Sequence, residues 1–322
     1  EGLVGSEMCI RDRIGPHIKP GEEIIITALP LFHIFSFTVN CLTFLKIGAE
    51  NVLIANPRDL KSFLKVLKKK KFTVMTAVNT LFNLLLTSKT FKELNFSSFK
   101  FSVGGGMAVM SETAKNWKKI TWTNITQGYG LTETSPVVSI NKIDSLYNGS
   151  IGLPVQSTNI KIIDENGEKI NDKQPGELCV KGPQVMSGYW KYPEDQENPF
   201  TDDGFFKTGD IASISEHGYL TIVDRKKDMI ISSGYNVFPN EIEDYLSTHP
   251  DILEAGVIGI PDKNRGEYIK AFIVKKNKNL IDTEVITYCK EGLTDYKVPK
   301  KVIFIDDCLL YTSPSPRDPH LS

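Results

Sequence analysis

The stretch FKFSVGGGMAVMSETAKNWKKITWTNIT, residues 99–126, decides the fold class of this sequence. A short apolar run, FKFSV (99–103), precedes three glycines, a helix candidate at 111–121 and a second apolar run at 124–126. A strand, a turn, a helix and another strand in this order are typical of a parallel sheet with flanking helices. We therefore predict an α/β fold built around this segment.

The same alternation extends upstream from this segment. Each apolar run is followed by a helix candidate, which is the order that strand–helix units require. Asp59 is the first residue of one of these candidates, at the position where an N-cap residue would begin the helix. Strands are predicted at 24–29, 51–55 and 72–77, and helices at 36–47, 59–70 and 78–88.

Two further textures follow Gly149, and they predict the domain organisation. Short alternating strands and turn clusters indicate a β-rich subdomain over residues 149–223, with a hairpin around Asn166-Gly167. After the charged segment DRKKD (224–228) we expect a hinge and a small α+β domain, so that the large domain covers 14–223 and the small one 224–307. Further strands are predicted at 176–182, 218–224, 253–260, 269–275 and 301–305, and helices at 240–248 and 283–291.

Composition excludes several classes of protein. The 38 Lys and Arg residues against 39 Asp and Glu residues leave a formal charge of −1, which disfavours a nucleic-acid binder. The sequence contains no run of about 18 uncharged apolar residues, so a transmembrane helix is not predicted. Cys41, Cys179 and Cys289 stand far apart without a CxxC motif, so neither a zinc site nor a disulfide framework is predicted, and a reducing cytosol fits best.

The two ends of the chain, residues 1–13 and 308–322, show no core pattern. One oligonucleotide translated from opposite strands can encode both LVGSEMCIRD near the start and CLLYTSPSPRD near the end, and it resembles a sequencing-library adapter. We expect both ends to be translated adapter on a truncated gene fragment and exclude them from the fold argument. Natural unstructured tails are the alternative, and the codons of the parent DNA distinguish the two.

QGYGLTETSP (127–136) is the segment richest in candidate functional residues. Gly128 and Gly130 bracket Tyr129 directly after a predicted strand, and ligands of α/β sheets bind at the carboxyl ends of strands. A flat base against Tyr129, a phosphate oxygen on Thr132 and a Mg²⁺ ion on Glu133 would suit nucleotide chemistry. An ordinary glycine-rich turn is the alternative for this segment alone.

Three other motifs are compatible with the same chemistry. Gly104, Gly105 and Gly106 follow a strand and let the backbone approach a planar ligand, although a tight strand-to-helix turn explains them equally well. Asp210 in KTGD could bind both hydroxyls of a ribose, or could be a plain turn residue. Arg225 in DRKKD could reach a ribose or phosphate oxygen, or belong to a solvated charge run. No GxxxxGK[ST] motif is present.

LPLFHIF (29–35) places His33 and Phe35 after a predicted strand. A lone histidine in such a setting is more often structural than a catalytic base. No GxSxG motif supports a hydrolase triad. The lysines at 61, 65 and 68–71 form a basic helix end, usually a solvated face and alternatively a weak site for an anionic membrane surface.

Taken together and in this order, the motifs resemble the adenylate-forming (AMP-binding) superfamily of acyl-CoA synthetases, luciferases and adenylation domains. Within it, the sequence is particularly similar to the bacterial long-chain fatty acid–CoA ligases. The resemblance covers residues 15–307. It rests on LPLFHIF, NPRD, VNTLFN, GGGM, QGYGLTE, GSIGLPV, GELCVKGPQVMSGYW, KTGDIA, DRKKDMIISSGYNVFPNEIE and YKVPK.

The resemblance implies an acid–thiol ligase with ATP, Mg²⁺ and coenzyme A as cofactor and co-substrates. A fatty acid attacks ATP to give an acyl-adenylate and pyrophosphate, and the CoA thiol then displaces AMP. On the large domain, 104–106 and the 128–130 turn would frame adenine, Thr132 would contact the α-phosphate and Glu133 would hold Mg²⁺. His33 and Phe35 would border the acyl pocket.

Further roles follow from the same resemblance. Asp210 and Arg225 would bind ribose, Lys227 would be the catalytic hinge of the small domain, and Gly234 would line the pantetheine tunnel. No nucleic-acid partner is expected. The implied location is cytoplasmic, and peripheral contact with the inner face of the cell membrane is compatible with the basic helix end.

The sequence departs from the family pattern in two places. The family's phosphate loop lies upstream of LPLFHIF, and its catalytic Gly-Lys motif lies downstream of YKVPK; the sequence contains neither. We therefore expect this polypeptide itself to be inactive in adenylation, and its parent to be active. The alternatives are another acyl or aryl acid adenylating enzyme, or a non-catalytic nucleotide- or acyl-binding module. FHIFSFTVN carries no carboxylate for an amino-acid substrate, which favours an apolar acyl chain.

Overall fold

The computed structural model describes residues 13–170, 174–193, 196–262 and 266–306. It divides into two compact units, the first ending at Ile222 and the second beginning at Val223. Apart from Arg13, which donates a hydrogen bond to the Pro154 carbonyl at 3.1 Å, the adapter-like ends lie outside the described residues.

The first unit contains a seven-stranded sheet in the order β2-β1-β3-β4-β5-β6-β7. The strands β1 to β5 are parallel, whereas β6 and β7 add to the β5 edge in antiparallel register. The parallel sheet predicted from the sequence is therefore confirmed. Its strands are β1 (Ile24–Thr27), β2 (Glu50–Leu53), β3 (Val74–Ala77), β4 (Phe101–Gly104), β5 (Ile125–Gly130), β6 (Val137–Ile140) and β7 (Leu153–Pro154).

Helices connect the parallel strands where the sequence predicts them. The first, α1, covers residues 34–46 and is α-helical at Ile34–Ser36, a π-helix at Phe37–Thr43 and α-helical again at Phe44–Lys46. The predicted N-cap is confirmed, since Asp59 accepts a hydrogen bond from the Ser62 amide at 3.0 Å. The other predicted helices are α2 (Leu60–Lys69), α3 (Asn79–Thr87) and α5 (Ser111–Thr121), whereas α4 (Lys89–Lys92) was not predicted from the sequence.

Apolar clusters cover both faces of this sheet, as expected for parallel strands. On one face, Trp117 of α5 is fully buried against Phe82 and Phe91, with ring centroids 4.7 and 5.3 Å away. On the other face, Phe44 of α1 packs in a cluster with Phe101. Burial on both sides explains why β3 and β4 are apolar along most of their length.

The β-rich part of the first unit is a second sheet in the order β11-β10-β9-β8. The predicted turn at Asn166-Gly167 forms, and Ile163 and Lys169 bridge across it. The Asp164 amide donates to the Glu168 carbonyl and the Ile170 amide to the Ile162 carbonyl, while β8 also pairs along its length with β9. KTGD, for which the sequence left a turn open, lies within β10 at a register shift where Gly209 has a φ of +71°. The strands are β8 (Asn159–Ile163), β9 (Gly176–Lys181), β10 (Phe206–Ile214) and β11 (Leu220–Arg225).

The second unit has the predicted α+β texture. The sheet order is β13-β12-β15-β14, and β16 pairs with β15 in parallel. The short β12–β13 hairpin was not predicted from the sequence. The elements are β12 (Ile230–Ser232), β13 (Tyr235–Val237), α6 (Pro239–Ser247), β14 (Ile252–Asp262), β15 (Gly266–Lys275), α7 (Asp282–Gly292) and β16 (Lys301–Ile305). Within the described ranges, neither unit has a helix long and apolar enough to span a bilayer.

Candidate nucleotide site

The carboxyl ends of β4 and β5 bring two of the predicted glycine motifs together. Gly104 pairs with Gln127 across the parallel strands, and a Cβ atom on Gly105 would lie 3.1 Å from the Gly128 carbonyl oxygen. A Cβ on Gly104 would lie 2.8 and 2.9 Å from methyl groups of Val109 and Ile125. Packing therefore requires glycine at 104, and the backbone at 105 approaches the next strand closely.

Tyr129 and Asp210 meet beside these glycines although they are far apart in the sequence. The Tyr129 hydroxyl donates a hydrogen bond of 2.5 Å to Asp210 Oδ2. Asp210 lies in β10 and is 3% exposed, and its amide donates to Thr208 Oγ1. A buried carboxylate held by a phenol and aligned by its own backbone is a suitable acceptor for sugar hydroxyls.

A rigid turn carries Thr132 and Glu133. Thr134 Oγ1 accepts a hydrogen bond from the Leu131 amide at 2.9 Å and donates one to the Pro136 carbonyl at 2.6 Å. The turn also packs against Gly130 so closely that a Cβ there would lie 1.6 Å from the Pro136 carbonyl oxygen. Thr132 is exposed on this turn, so its hydroxyl is accessible to a ligand.

Sequence reasoning missed the contact between Glu133 and Tyr189. The Tyr189 hydroxyl donates to Glu133 Oε1 at 2.9 Å, and the Met186 amide donates to the Glu133 backbone carbonyl at 2.9 Å. Tyr189 belongs to the family-like motif GELCVKGPQVMSGYW, but nothing in a single sequence indicates which residue it contacts.

His33 and Phe35 lie at the start of α1. His33 is exposed, and its Nδ1 accepts a hydrogen bond from the Phe35 amide at 3.2 Å, so it serves as the N-cap of this helix. The Phe35 ring lies 3.4 Å from where a Cβ on Gly105 would be. The structure thus brings the Phe35 ring next to the glycine motif.

The second unit positions its candidate residues on two turns. Arg225 ends β11, and its carbonyl accepts hydrogen bonds from the Asp228 and Met229 amides, which leaves Lys227 exposed on the turn. Gly234 occupies the β12–β13 turn with a φ of +81°, and a Cβ there would have no neighbour within 4 Å.

Asp224 and Glu243 were not singled out from the sequence, and both carboxylates accept hydrogen bonds from backbone amides of the second unit. Asp224 Oδ2 accepts from the Asn240 amide at the start of α6, and Glu243 Oε1 accepts from the Val257 amide of β14. Burial, together with the charges of Asp224, Asp228 and Glu254, raises the pKa of Glu243 to about 7.

Two buried cysteines, Cys179 and Cys289, are not candidate nucleophiles. Burial raises the pKa of the Cys179 thiol to about 12 and that of Cys289 to about 11, so neither is a thiolate nucleophile at neutral pH.

No cluster of three or more metal-ligating side chains occurs in the described part of the chain. A single carboxylate such as Glu133 suits Mg²⁺, which commonly takes one or two protein carboxylates together with nucleotide phosphates.

Comparison with known proteins agrees with this architecture. A family model described as AMP-binding enzyme matches residues 4–190, and a second, AMP-binding enzyme C-terminal domain, matches residues 241–313. Because the first match covers more than half of the sequence, the chain belongs to the AMP-binding enzyme family.

Individual relatives point in the same direction. The chain is 51% identical over 294 residues to a long-chain-fatty-acid–CoA ligase of Escherichia coli O6:H1, a match that covers 91% of the chain and 52% of that enzyme. A Haemophilus influenzae protein of the same name is 48% identical over 91% of the chain and 52% of its own length. Among solved structures, ATP-bound MatB from Rhodopseudomonas palustris superposes with a TM-score of 0.82 at 30% identity, over 94% of the chain and 59% of that protein. The chain therefore spans about half the length of the curated relatives it matches.

Proposed function

We propose that this sequence belongs to a long-chain fatty acid–CoA ligase. The observation that carries the proposal is the convergence of Gly105, Gly128, Tyr129 and Asp210 at the carboxyl ends of a parallel sheet. Its family and its similarity to ligases of that name direct the proposal to a fatty acid substrate.

The proposed reaction has two steps. In the first, a carboxylate oxygen of the fatty acid attacks the α-phosphorus of ATP, and the bond to the β-phosphate breaks to release pyrophosphate. In the second, the thiol sulfur of CoA attacks the acyl carbon, loses its proton and displaces AMP. Preorganised polar groups would lower the barrier to both steps, because they stabilise the negative charge that develops in each transition state without having to reorient.

The nucleotide-side residues have complementary tasks in this proposal. The glycine segment 104–106 and the Tyr129 ring frame the adenine, since the glycines carry no side chain and let a planar ligand approach the backbone. Asp210, aligned by Tyr129 and Thr208, accepts hydrogen bonds from the ribose hydroxyls. Thr132 donates from its rigid turn to an α-phosphate oxygen.

Glu133 is the proposed carboxylate ligand of Mg²⁺. The ion, when bound with ATP, would neutralise part of the phosphate charge. Glu133 would hold it beside the Thr132 hydroxyl, because both residues are on one short turn.

The second unit is proposed to serve the thioester half-reaction. We assign residues 14–223 to an AMP-binding domain and 224–307 to a C-terminal domain. By resemblance, Arg225 binds the ribose, Lys227 is the hinge residue, and Gly234 lines the path of the pantetheine arm. The lack of neighbours around Gly234 supports that last role.

His33 and Phe35 are proposed to border the acyl pocket, and a membrane would be the source of the acyl chain. The helix α2 buries Phe63 and Leu67 and exposes Lys61, Lys65 and Lys68. This exposed basic face would attract an anionic lipid surface weakly. We propose a cytoplasmic enzyme with peripheral contact of this kind.

The test is fatty-acid-dependent release of AMP by the complete gene product that carries this sequence. Palmitate, ATP and CoA should give palmitoyl-CoA, AMP and pyrophosphate, whereas benzoate or an amino acid in place of palmitate should give no CoA thioester. Mass spectrometry detects the products. Asp210→Asn should lower the rate about 10- to 100-fold because charged hydrogen bonds to the ribose are lost. Asp203→Asn is the control, since Asp203 lies in a loop and pairs with Lys161. Acid-independent AMP release, or a preference for aryl acids, would contradict the proposal.

A further inference from the structure

Two residues of the segment after β9, Met186 and Tyr189, contact Glu133 in different ways. The Tyr189 hydroxyl donates to Glu133 Oε1, and the Met186 amide donates to the Glu133 carbonyl, each at 2.9 Å. The segment after β9 is therefore fastened both to the backbone and to the side chain of one residue. We infer that Tyr189 is a positioning residue, which orients the Glu133 carboxylate toward a divalent cation bound with the nucleotide.

The backbone and the side chain of Glu133 are held by different contacts. Hydrogen bonds of Thr134 and the close approach of Gly130 fix the backbone of this turn. The Tyr189 hydroxyl contacts the side chain, which has three rotatable bonds. A phenol donating to Oε1 selects one orientation, and carboxylates that bind metals are in turn commonly held by such hydrogen bonds.

The Tyr189 ring is itself supported. It stacks on Tyr192 with ring centroids 5.4 Å apart and an interplanar angle of 23°. The Tyr192 hydroxyl donates to the Glu197 carbonyl at 3.1 Å. The two tyrosines thus share a stack, but their hydroxyl groups have different acceptors, which provides a matched pair of variants.

Exposure argues against a purely structural role for the phenol. Tyr189 is 44% exposed, and its hydrogen bond to Glu133 is exposed to water, which competes with it, so the bond adds little to folding. Its acceptor is a carboxylate oxygen at 2.9 Å, so the hydrogen bond restricts the direction in which Oε1 points. The consequence of losing it should appear in cation binding rather than in thermal stability.

This inference rests on the proposed function, so the test reads out cation affinity separately from catalysis. In the complete gene product, the dissociation constant of Mn²⁺, used as a spectroscopic substitute for Mg²⁺, is measured by electron paramagnetic resonance with α,β-methylene-ATP present. Tyr189→Phe should weaken Mn²⁺ binding about 10- to 100-fold, the usual effect of removing such a supporting hydrogen bond. Tyr192→Phe should bind as the wild type does, and all three proteins should melt at the same temperature.

Two further measurements complete the design. In Glu133→Gln, adding Tyr189→Phe should cause no additional loss, because Tyr189 acts through Glu133. In steady-state assays, Tyr189→Phe should raise the KM for Mg·ATP more than it lowers kcat.

The outcomes separate the two proposals. Unchanged Mn²⁺ affinity in Tyr189→Phe, an equal loss in Tyr192→Phe, or no Mn²⁺–nucleotide binding by the wild type would overturn the role of Tyr189. If acyl-CoA is not formed but Mn²⁺ affinity depends on Tyr189 as expected, the ligase proposal fails and the positioning role stands.

Discussion

Gly130 ends strand β5 in the first unit, Gly234 lies on the β12–β13 turn of the second, and they are glycines for opposite reasons. Gly130 has no positive φ, but a Cβ there would lie 1.6 Å from the Pro136 carbonyl oxygen. Gly234 has a φ of +81°, yet a Cβ there would meet no atom within 4 Å. Backbone atoms of Pro136 fill the space beside Gly130, whereas the space beside Gly234 is open.

This difference distinguishes a glycine that packing requires from a glycine that leaves room for a ligand. A glycine required by packing is explained without any ligand, because its neighbours fill the space. A glycine on an open turn is explained by its φ, and the space beside it is accessible to another molecule. The open space beside Gly234 supports the proposed pantetheine path, whereas Gly130 packs against the turn that carries Thr132 and Glu133.

Of the substitutions at these two glycines, Gly130→Ala should destabilise the protein more. The added methyl group must displace backbone atoms of Pro136, which should reduce the free energy of unfolding by about 4 kcal/mol or more. Urea denaturation monitored by circular dichroism measures this change. An alanine variant that unfolds at the wild-type midpoint would show that the turn is not closed as described.

Gly234→Ala should be milder in stability and selective in function. An alanine at a φ of +81° costs about 1–2 kcal/mol, so the protein should remain folded. If Gly234 lines the pantetheine path, ATP–pyrophosphate exchange should persist in the complete gene product while acyl-CoA formation declines. Equal loss of both half-reactions would contradict the assignment.

Glu243→Gln should change the pH dependence of the second unit. Its folded-state pKa of about 7 lies above the ordinary value of 4.5, so Glu243 contributes stability below pH 4.5 and loses that contribution as the pH rises through 7. Glutamine still accepts the hydrogen bond from the Val257 amide and carries no charge near Asp224, Asp228 and Glu254.

The variant should therefore be more stable than the wild type at pH 8 by about 1–3 kcal/mol, and nearly equal to it at pH 5. Thermal unfolding at the two pH values measures the difference. A wild-type protein that gains stability relative to Glu243→Gln between pH 5 and pH 8 would show the opposite sign.

Much of the fold follows from local patterns, and the exceptions have physical causes. The helices at 111–121 and 60–69 were predicted nearly to the residue, because apolar periodicity and the Asp59 cap are local signals. Strand β5 extends beyond residue 126 to Gly130 because β6 supplies a pairing partner that no local pattern indicates. The β12–β13 hairpin was missed because its strands are three residues long.

Some contacts of the candidate site were likewise predictable from the sequence, and others were not. Proximity of Gly105 and Gly128 was predictable, since parallel strands end at one edge of the sheet. The bonds from Tyr129 to Asp210 and from Tyr189 to Glu133 join residues 81 and 56 positions apart. Such pairings depend on how the β-rich sheet is placed within the first unit, and residue type alone does not encode them.

The most direct test of the nucleotide site is calorimetric titration of this chain with AMP. We expect binding that weakens about tenfold or more in Asp210→Asn, because a charged acceptor for the ribose hydroxyls is lost. Asp203→Asn should bind AMP as the wild type does. Absence of AMP binding by the wild type, or equal affinity in Asp210→Asn, would contradict a nucleotide site at the carboxyl ends of β4 and β5.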